Sequence, residues 1–448
     1  MRVAFHTLGC KVNQYETEAM KEAFVSRGAE IVDEDEVADV YIVNTCTVTN
    51  IADRKSRQYI RRMKGVNPEA VVVVTGCYAQ TSPEEVSALP EVDLVIGNGL
   101  KSGICNKVYE YIEGKSVDNE VQVLERNNLN YYEDMGLVAS SESGMTRAYI
   151  KIQEGCDRFC AYCLIPFARG PVRSRPPEEI VAEATMLLDA GYKEIVLTGI
   201  NTALYGTEAG FECDRKPEEE GMKPIELIIS RLDSIDREFR IRLSSLEPTV
   251  VDKNDVERII RFDKLCHHLH LSVQSGSSKV IKAMNRHYTQ EDYLDIVKAI
   301  RRFDPLYGIT TDIIVGFSGE TEDDFEESIR TVHEAEFGKV HVFRYSKRKG
   351  TVGEKLPDEV PGTVKNRRSE ILAEAADAAA RAFMLKNLGA RHKVLVEEKQ
   401  MINEREYLVG YTGNYIRAYI ENDSSIEVGA FVEAELCELM EDGCLARV

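Results

Sequence analysis

No segment of the 448-residue sequence is long and apolar enough to cross a bilayer as a helix; the longest apolar runs, such as 70–74, are strand-sized. The opening residues lead straight into a strand pattern without an export signal. Eleven cysteines, an odd number, on such a chain argue against a disulfide framework and for reduced thiols and metal ligands. The expectation is a cytoplasmic protein with no membrane partner. Basic charge is in deficit too: 56 Lys and Arg against 76 Asp and Glu leave a net charge of −20. That disfavours a nonspecific grip on nucleic acid over the whole surface, though not a local basic face. No internal repeat or low-complexity tract is present. A hydrophobic share of 43% is ample for a core, and the length suits two or three domains.

Cys156, Cys160 and Cys163 fall in the run Gly155-Cys156-Asp157-Arg158-Phe159-Cys160-Ala161-Tyr162-Cys163. A 4Fe–4S cluster ordinarily takes one thiolate on each iron, so three cysteines in one loop leave an iron open to bind and reduce a ligand. A structural zinc site would pair C-x2-C with a second ligand pair, and none lies nearby. The C-x3-C-x2-C spacing resembles that of the radical S-adenosylmethionine (SAM) enzymes, in which SAM occupies the open iron.

The first hundred residues alternate strand and helix, a rhythm that predicts a parallel sheet with helices on both faces. Cys10, Cys46 and Cys77 each follow the C-terminal end of a different strand. In an open parallel sheet those ends share one edge, where such folds build binding sites. The three thiols are therefore candidates for a shared ligand set.

Residues 116–142 lose periodicity and read as a connector between a first domain (1–115) and a second (143–378). The second carries about six βα units, with strands near 148–153, 194–198, 240–244, 268–273, 310–315 and 339–345. They predict a partial (βα)6 to TIM-like barrel with its chemistry at the C-terminal strand ends. After a helix at 364–388, short alternating strands over 379–448 predict a small five-stranded β-barrel of a kind that holds oligonucleotides. The expected class is α/β: a doubly wound parallel sheet, a partial barrel and a small β-barrel.

Across nearly its whole length the chain resembles the radical SAM methylthiotransferases. The resemblance rests on Thr7-Leu8-Gly9-Cys10-Lys11-Val12-Asn13-Gln14-Tyr15-Glu16, Asn44-Thr45-Cys46-Thr47-Val48-Thr49, Thr75-Gly76-Cys77 and the cluster loop. Tyr411-Thr412-Gly413-Asn414-Tyr415 is similar to the RNA-binding TRAM domain that closes that family. The resemblance implies that Cys10, Cys46 and Cys77 hold a second 4Fe–4S cluster, which carries the sulfur to be inserted. Lys11-Val12 with Asn13-Gln14-Tyr15-Glu16 and Lys55-Ser56-Arg57-Gln58 resembles the branch that acts on threonylcarbamoyladenosine beside the tRNA anticodon. Alternatives are isopentenyladenosine in tRNA, a ribosomal protein side chain, or a non-catalytic iron–sulfur regulator. Implied partners are the tRNA anticodon loop, an electron donor such as a flavodoxin or ferredoxin, and a sulfur donor. Ala203, Ser318 and Arg344 depart from the residues usual in the family, at loop-shaping positions.

Under that resemblance Tyr162 packs on the adenine of SAM, the alternative being a core aromatic. Thr198, Gly199, Asn201, Ser244, Glu247 and Gln274 end strands, where polar groups bond a ribose or an amino-acid head, or else cap and turn the chain. Arg286 is a candidate partner for the SAM carboxylate, or a surface arginine. Arg54, Arg57, Arg61 and Lys64 form one helical stripe suited to phosphate contact. Arg344, Lys347, Arg348 and Lys349 make a second basic group, and Tyr411 and Tyr415 are candidates to stack on bases. The histidines of Cys266-His267-His268-Leu269-His270 alternate across a strand rather than converging on a metal.

Overall fold

The computed structural model describes residues 1–115, 121–136, 146–248, 250–421 and 424–448. Its first unit is a six-stranded sheet in the order Glu30–Val32, Arg2–Thr7, Val40–Thr45, Val71–Gly76, Leu94–Ile96, Val121–Gln122. Every neighbouring pair is parallel. Alternation along the strands feeds two cores: Ile42 and Val73 pack on one face, Tyr41, Val43, Val72 and Val74 on the other. The helix Lys11–Val25 buries Val12, Tyr15, Ala19, Met20 and Phe24, successive spacings of three, four, one and four that keep one face inward. Strand order reverses between Arg2–Thr7 and Val40–Thr45, which makes their carboxyl ends the switch-point crevice of a doubly wound sheet.

The second unit is an open barrel of six parallel strands. Arg147–Lys151, Glu194–Thr198 and Arg240–Leu243 form one half; His268–His270, Gly308–Val315 and Lys339–Arg344 form the other. Bridges Ile241 to Leu265 and Leu246 to Leu271 join the halves. One continuous core, including Ile150, Leu197, Ile241, Leu269 and Ile309, packs the strands against the surrounding helices. The acidic run at 320–324 opens the helix Glu322–Ala335: Thr321 caps it, accepting from the Asp324 N–H, and three carboxylates sit in the first turn. The third unit is a closed five-stranded barrel, Arg391–Ile402, Arg405–Thr412, Arg417–Glu421, Gly443–Arg447 and Phe431–Met440 in spatial order. Among the described residues no helix is long and apolar enough to cross a membrane.

Two expectations need correcting. The stretch read as a connector is partly built in: Val121–Gln122 adds the sixth strand of the first sheet, and Leu129 and Glu133 are buried. A two-residue strand has no periodicity to read, because its pairing comes from the neighbouring strand. Positions 116–120 and 137–142 of that stretch lie outside the described residues. The division at 378/379 falls inside the helix Gly362–Lys386. That helix serves two cores, with Leu372 and Ala379 in the central one and Phe383 in the C-terminal one.

Candidate active site

The parallel register brings the first three thiols to one edge. Thr7 pairs with Asn44 and Thr45 with Gly76, so the chain leaves each strand at the same level. Asn13 stitches two of the loops together, its amide donating to the carbonyls of Leu8 (2.6 Å) and Thr45 (3.0 Å). Gly76, before Cys77, has φ +96°, and a Cβ there would lie 2.4 Å from the Thr45 oxygen; only glycine makes this turn without strain. A Cβ on Gly9 would lie 3.1 Å from Cys46 Sγ, which shows how closely the Cys10 loop lies over Cys46. Cys46 and Cys77 are buried. Cys10 is exposed and lines a chamber. Burial pushes Cys46 up to about 12, and Cys77 and Cys10 beside it add to the effect. Cys10 is raised by burial and by Cys77, with Arg169 opposing.

The second triad lies in the loop after Arg147–Lys151. Gly155 has φ +76°, and a Cβ on it would fall 1.7 Å from the Pro171 oxygen. Cys156 N–H donates to the Gly170 carbonyl (3.0 Å) and Cys163 N–H to that of Cys160 (2.9 Å), which curls the loop. The Ile165 N–H points at Cys163 Sγ (3.4 Å). Burial pushes Cys156 up to about 12 and raises Cys160 and Cys163 as well. Free thiols in such surroundings keep their protons; a bound metal reverses that balance and takes them as thiolates.

Around this loop the structure gathers several of the expected SAM-side residues. The buried Arg286 guanidinium donates to Tyr288 (2.8 Å), to the Tyr162 hydroxyl (3.2 Å) and to the Ser272 carbonyl (3.2 Å), 3.8 Å from Cys160 Sγ. It is therefore no surface arginine. Glu247 accepts from Asn201 Nδ2 (2.8 Å) and Arg158 Nε (3.2 Å). Asn201 Oδ1 and Ser244 Oγ are buried with no hydrogen-bond partner among the described residues. A bound ligand would satisfy both, since buried polar atoms are rarely left alone. Thr198, Gly199 and Ser244 line the chamber. Gln274 stands apart: its φ is +65°, and its N–H donates to the Asp312 carbonyl, so it shapes backbone.

The chamber has a volume of about 580 Å³ and runs from Cys10 and Lys11 into the barrel lumen. Lys339, His341 and Phe343 alternate along the last strand and face it, exposed. Its floor is Tyr415 from the C-terminal barrel, whose ring stacks on His268 (4.7 Å between centroids) and Tyr411 (5.1 Å). Arg242 sits 4.6 Å over Tyr415 and is paired with the buried Glu194 (2.7 Å). His268 and His270 both bond Thr310 Oγ1, and His270 also meets Asp312.

The least legible part of the site is a buried ionic network between the first two units. Arg169, fully buried, donates from Nε to Cys77 Sγ (3.3 Å), from Nη1 to Glu154 (2.7 Å) and Glu16, and from Nη2 to Glu16 (3.0 Å) and Asn13 (2.5 Å). Lys101 and Lys151 complete it. Sequence reasoning missed all five charges, since nothing local pairs Glu16 with Arg169.

The basic surfaces need correction. Of the helical stripe, Arg54 and Arg61 are exposed, but Arg57 is held by Tyr78 and Glu85 (2.8 Å each), and Lys64 by Asp93 (2.9 Å). Arg348 is buried in an ion pair with Asp53 (2.6 Å) and bonded to Thr47 (2.6 Å). Its charge clamps the end of the central barrel to the helix Asn50–Val66 instead of facing RNA. Tyr415 is likewise consumed as the chamber floor. Of the departures from the family pattern, Arg344 bonds Asn366, Ala203 is buried, and Ser318 Oγ is buried without a partner among the described residues.

Residues 2–97 match the Uncharacterized protein family UPF0004, and residues 150–332 the Radical SAM superfamily. The threonylcarbamoyladenosine tRNA methylthiotransferase MtaB of Bacillus subtilis (strain 168) is 42% identical, over 97% of this chain and 93% of that one. The protein of the same name from Thermotoga maritima is 36% identical over 99% and 96%. A tRNA-2-methylthio-N(6)-dimethylallyladenosine synthase of Clostridium botulinum (strain Langeland) is 35% identical over 96% and 93%. The chain therefore belongs to the radical SAM methylthiotransferase family, and its cofactors are SAM and 4Fe–4S clusters. In fold it is similar to the radical SAM methyltransferase TsrM of Kitasatospora setae, with a TM-score of 0.57, 13% identity, and coverage of 76% of this chain and 72% of that one.

The residues present fit those cofactors. Among the described residues no three His, Cys, Asp or Glu side chains close on a single ion, whereas a cluster takes one thiolate per iron. Each triad offers three soft sulfur donors, Cys10 of the first lining the chamber, and the orphaned Asn201 and Ser244 atoms await a polar ligand.

Proposed function

We propose that the chain adds a methylthio group at the 2-position of threonylcarbamoyladenosine next to the tRNA anticodon, with two 4Fe–4S clusters and SAM. One observation carries this reading: a single chamber meets Cys10 at one end and the strand-end residues Thr198, Gly199 and Ser244 in its wall. A radical source and a sulfur source then face the same volume. Likeness to relatives named for this activity, over nearly the whole chain, supports the substrate.

Clusters and SAM supply the one-electron chemistry that breaks an unactivated C–H bond, and the sulfur and methyl group that replace it. The chain supplies placement. Cys156, Cys160 and Cys163 hold the SAM-binding cluster; Cys10, Cys46 and Cys77 hold the second. Arg286 braces the cluster loop against Tyr162, Tyr288 and Ser272. Asn201 and Ser244 orient SAM with their unspent polar atoms, and Glu247 fixes Asn201. Tyr415 contributes a ring from the C-terminal barrel to the chamber wall. Arg54 and Arg61 contact phosphates, and the C-terminal barrel acts as a TRAM domain that grips RNA. The first domain runs from residue 1 through the strand Val121–Gln122, and the second and third, divided near 378/379, share the helix Gly362–Lys386. With tRNA as substrate the protein works in the cytoplasm, beside an electron donor such as a flavodoxin or ferredoxin and a sulfur donor.

Nucleoside mass spectrometry of tRNA from cells lacking this protein tests the reading. The expected result is loss of the methylthio mark on threonylcarbamoyladenosine alone. Loss on isopentenyladenosine, or on a ribosomal protein with tRNA unchanged, overturns it.

A further inference from the structure

Lys11 opens the helix Lys11–Val25, directly after Cys10, and lines the chamber. The chamber's cations divide into two kinds. Arg242 in the wall is matched by Glu194. Arg147, over the same Tyr415 ring, is matched by Glu397 and Glu194. Lys11 and Lys339 have no carboxylate partner among the described residues. Lys339 stands at the open last strand, whereas Lys11 stands at the inner end beside the first cysteine triad. The wall's own carboxylate, Asp312, is held by His270 Nε2 (3.1 Å) on the neighbouring strand and Ser272 Oγ (3.2 Å) just past its end. Lys11 thus brings positive charge that no carboxylate meets in an ion pair among the described residues, Glu194 acting on it only at longer range. It also opens a 15-residue helix, whose N-terminal dipole favours an anion further.

We propose that Lys11 is a specificity-determining residue that binds the carboxylate of the threonyl group on the substrate adenosine and so sets the base beside Cys10. This rests on the function proposed above, in which the substrate carries that carboxylate. An isopentenyl group has none, so a half-buried cation with no ion-pair partner there rewards one modified base and penalises the other. An RNA phosphate is the other anion that could meet Lys11, and the test separates the two.

The test uses the cluster-loaded full chain and two anticodon stem-loops, one with threonylcarbamoyladenosine and one whose threonyl carboxylate is a primary amide. The readout is the ratio of kcat/KM for carboxylate RNA over amide RNA. Both terms come from one preparation, so incomplete cluster loading cancels. A charge-assisted bond predicts a wild-type ratio of roughly 10- to 100-fold. Lys11→Gln brings the ratio near one, and Lys11→Arg keeps most of it. A Lys11→Gln ratio equal to that of the wild type overturns the proposal, because a phosphate contact would weaken both RNAs alike. A wild-type ratio of one overturns it too, while leaving the proposed function standing. If the wild type turns over neither RNA, the proposed function itself fails, and this inference with it.

Discussion

The two cysteine triads reach the same kind of place by opposite routes. Cys156, Cys160 and Cys163 are neighbours in sequence, gathered by one loop that curls through its own backbone hydrogen bonds. Cys10, Cys46 and Cys77 are far apart in sequence and are brought together only because three strands of a parallel sheet end level. Yet both rely on a glycine at positive φ just before a cysteine, Gly155 in one and Gly76 in the other, where a side chain would strike backbone. A local ligand set needs only its loop. A dispersed one needs the whole sheet folded first, and so depends on its surroundings.

The sharpest way to break that comparison is to remove one thiol from each triad. Cys156→Ala is expected to abolish deoxyadenosine release from SAM, and Cys77→Ala to leave that release while eliminating methylthio product. Iron per chain should fall from about eight to about four in either variant. Product analysis and iron assay check this; loss of SAM cleavage in Cys77→Ala would erase the division of labour.

Next in size is Arg169, which touches Cys77 from the domain that carries the other triad. Arg169→Met strands Glu16 and Glu154 in the interior, and breaking a buried ionic network from one side costs about 3–5 kcal/mol. Denaturant unfolding of the cluster-free protein measures it. The pH dependence gives a second handle. Burial alone would raise Glu154, but Lys151, Arg169 and Arg173 outweigh it and hold the carboxyl at about 2. A folded-state value below the unfolded one contributes stability above about pH 4.5 that is lost as the pH falls toward 2. Arg169→Met should shrink that acid-side loss. An unchanged profile would mean the network does not join the two units.

The smallest effect belongs to the shared turn. Gly76→Ala is expected to cost about 1–3 kcal/mol in backbone strain and to lower iron loading at the first triad while the second stays filled. Spectroscopy of the two clusters distinguishes these. Equal loss at both sites would show that the triads assemble as one unit.

The difference between the triads also governs what could be read from the sequence. The C-x3-C-x2-C loop is local, so its spacing alone announced it. The dispersed triad was visible through a repeated position after three strands, and through its likeness to a family. What stayed hidden depends on contacts between distant segments. Arg169 has no nearby acid to reveal its role, and Arg348 read as free charge because its partner Asp53 lies far back in the chain. Tyr415 looked like a base-stacking residue of an RNA-binding barrel; docking on His268 and beneath Arg242 consumed it instead. Val121–Gln122 looked like connector because two residues are too few to show a period.

That position of Tyr415 gives the last barrel a second duty. A chain ending before residue 391 would keep both triads but lose Tyr415 from the wall of its reaction vessel. Water would then drain in from below, and each radical formed would face a competing outlet before it met the base. Shortened forms of the protein should therefore waste SAM even where RNA is delivered by other means.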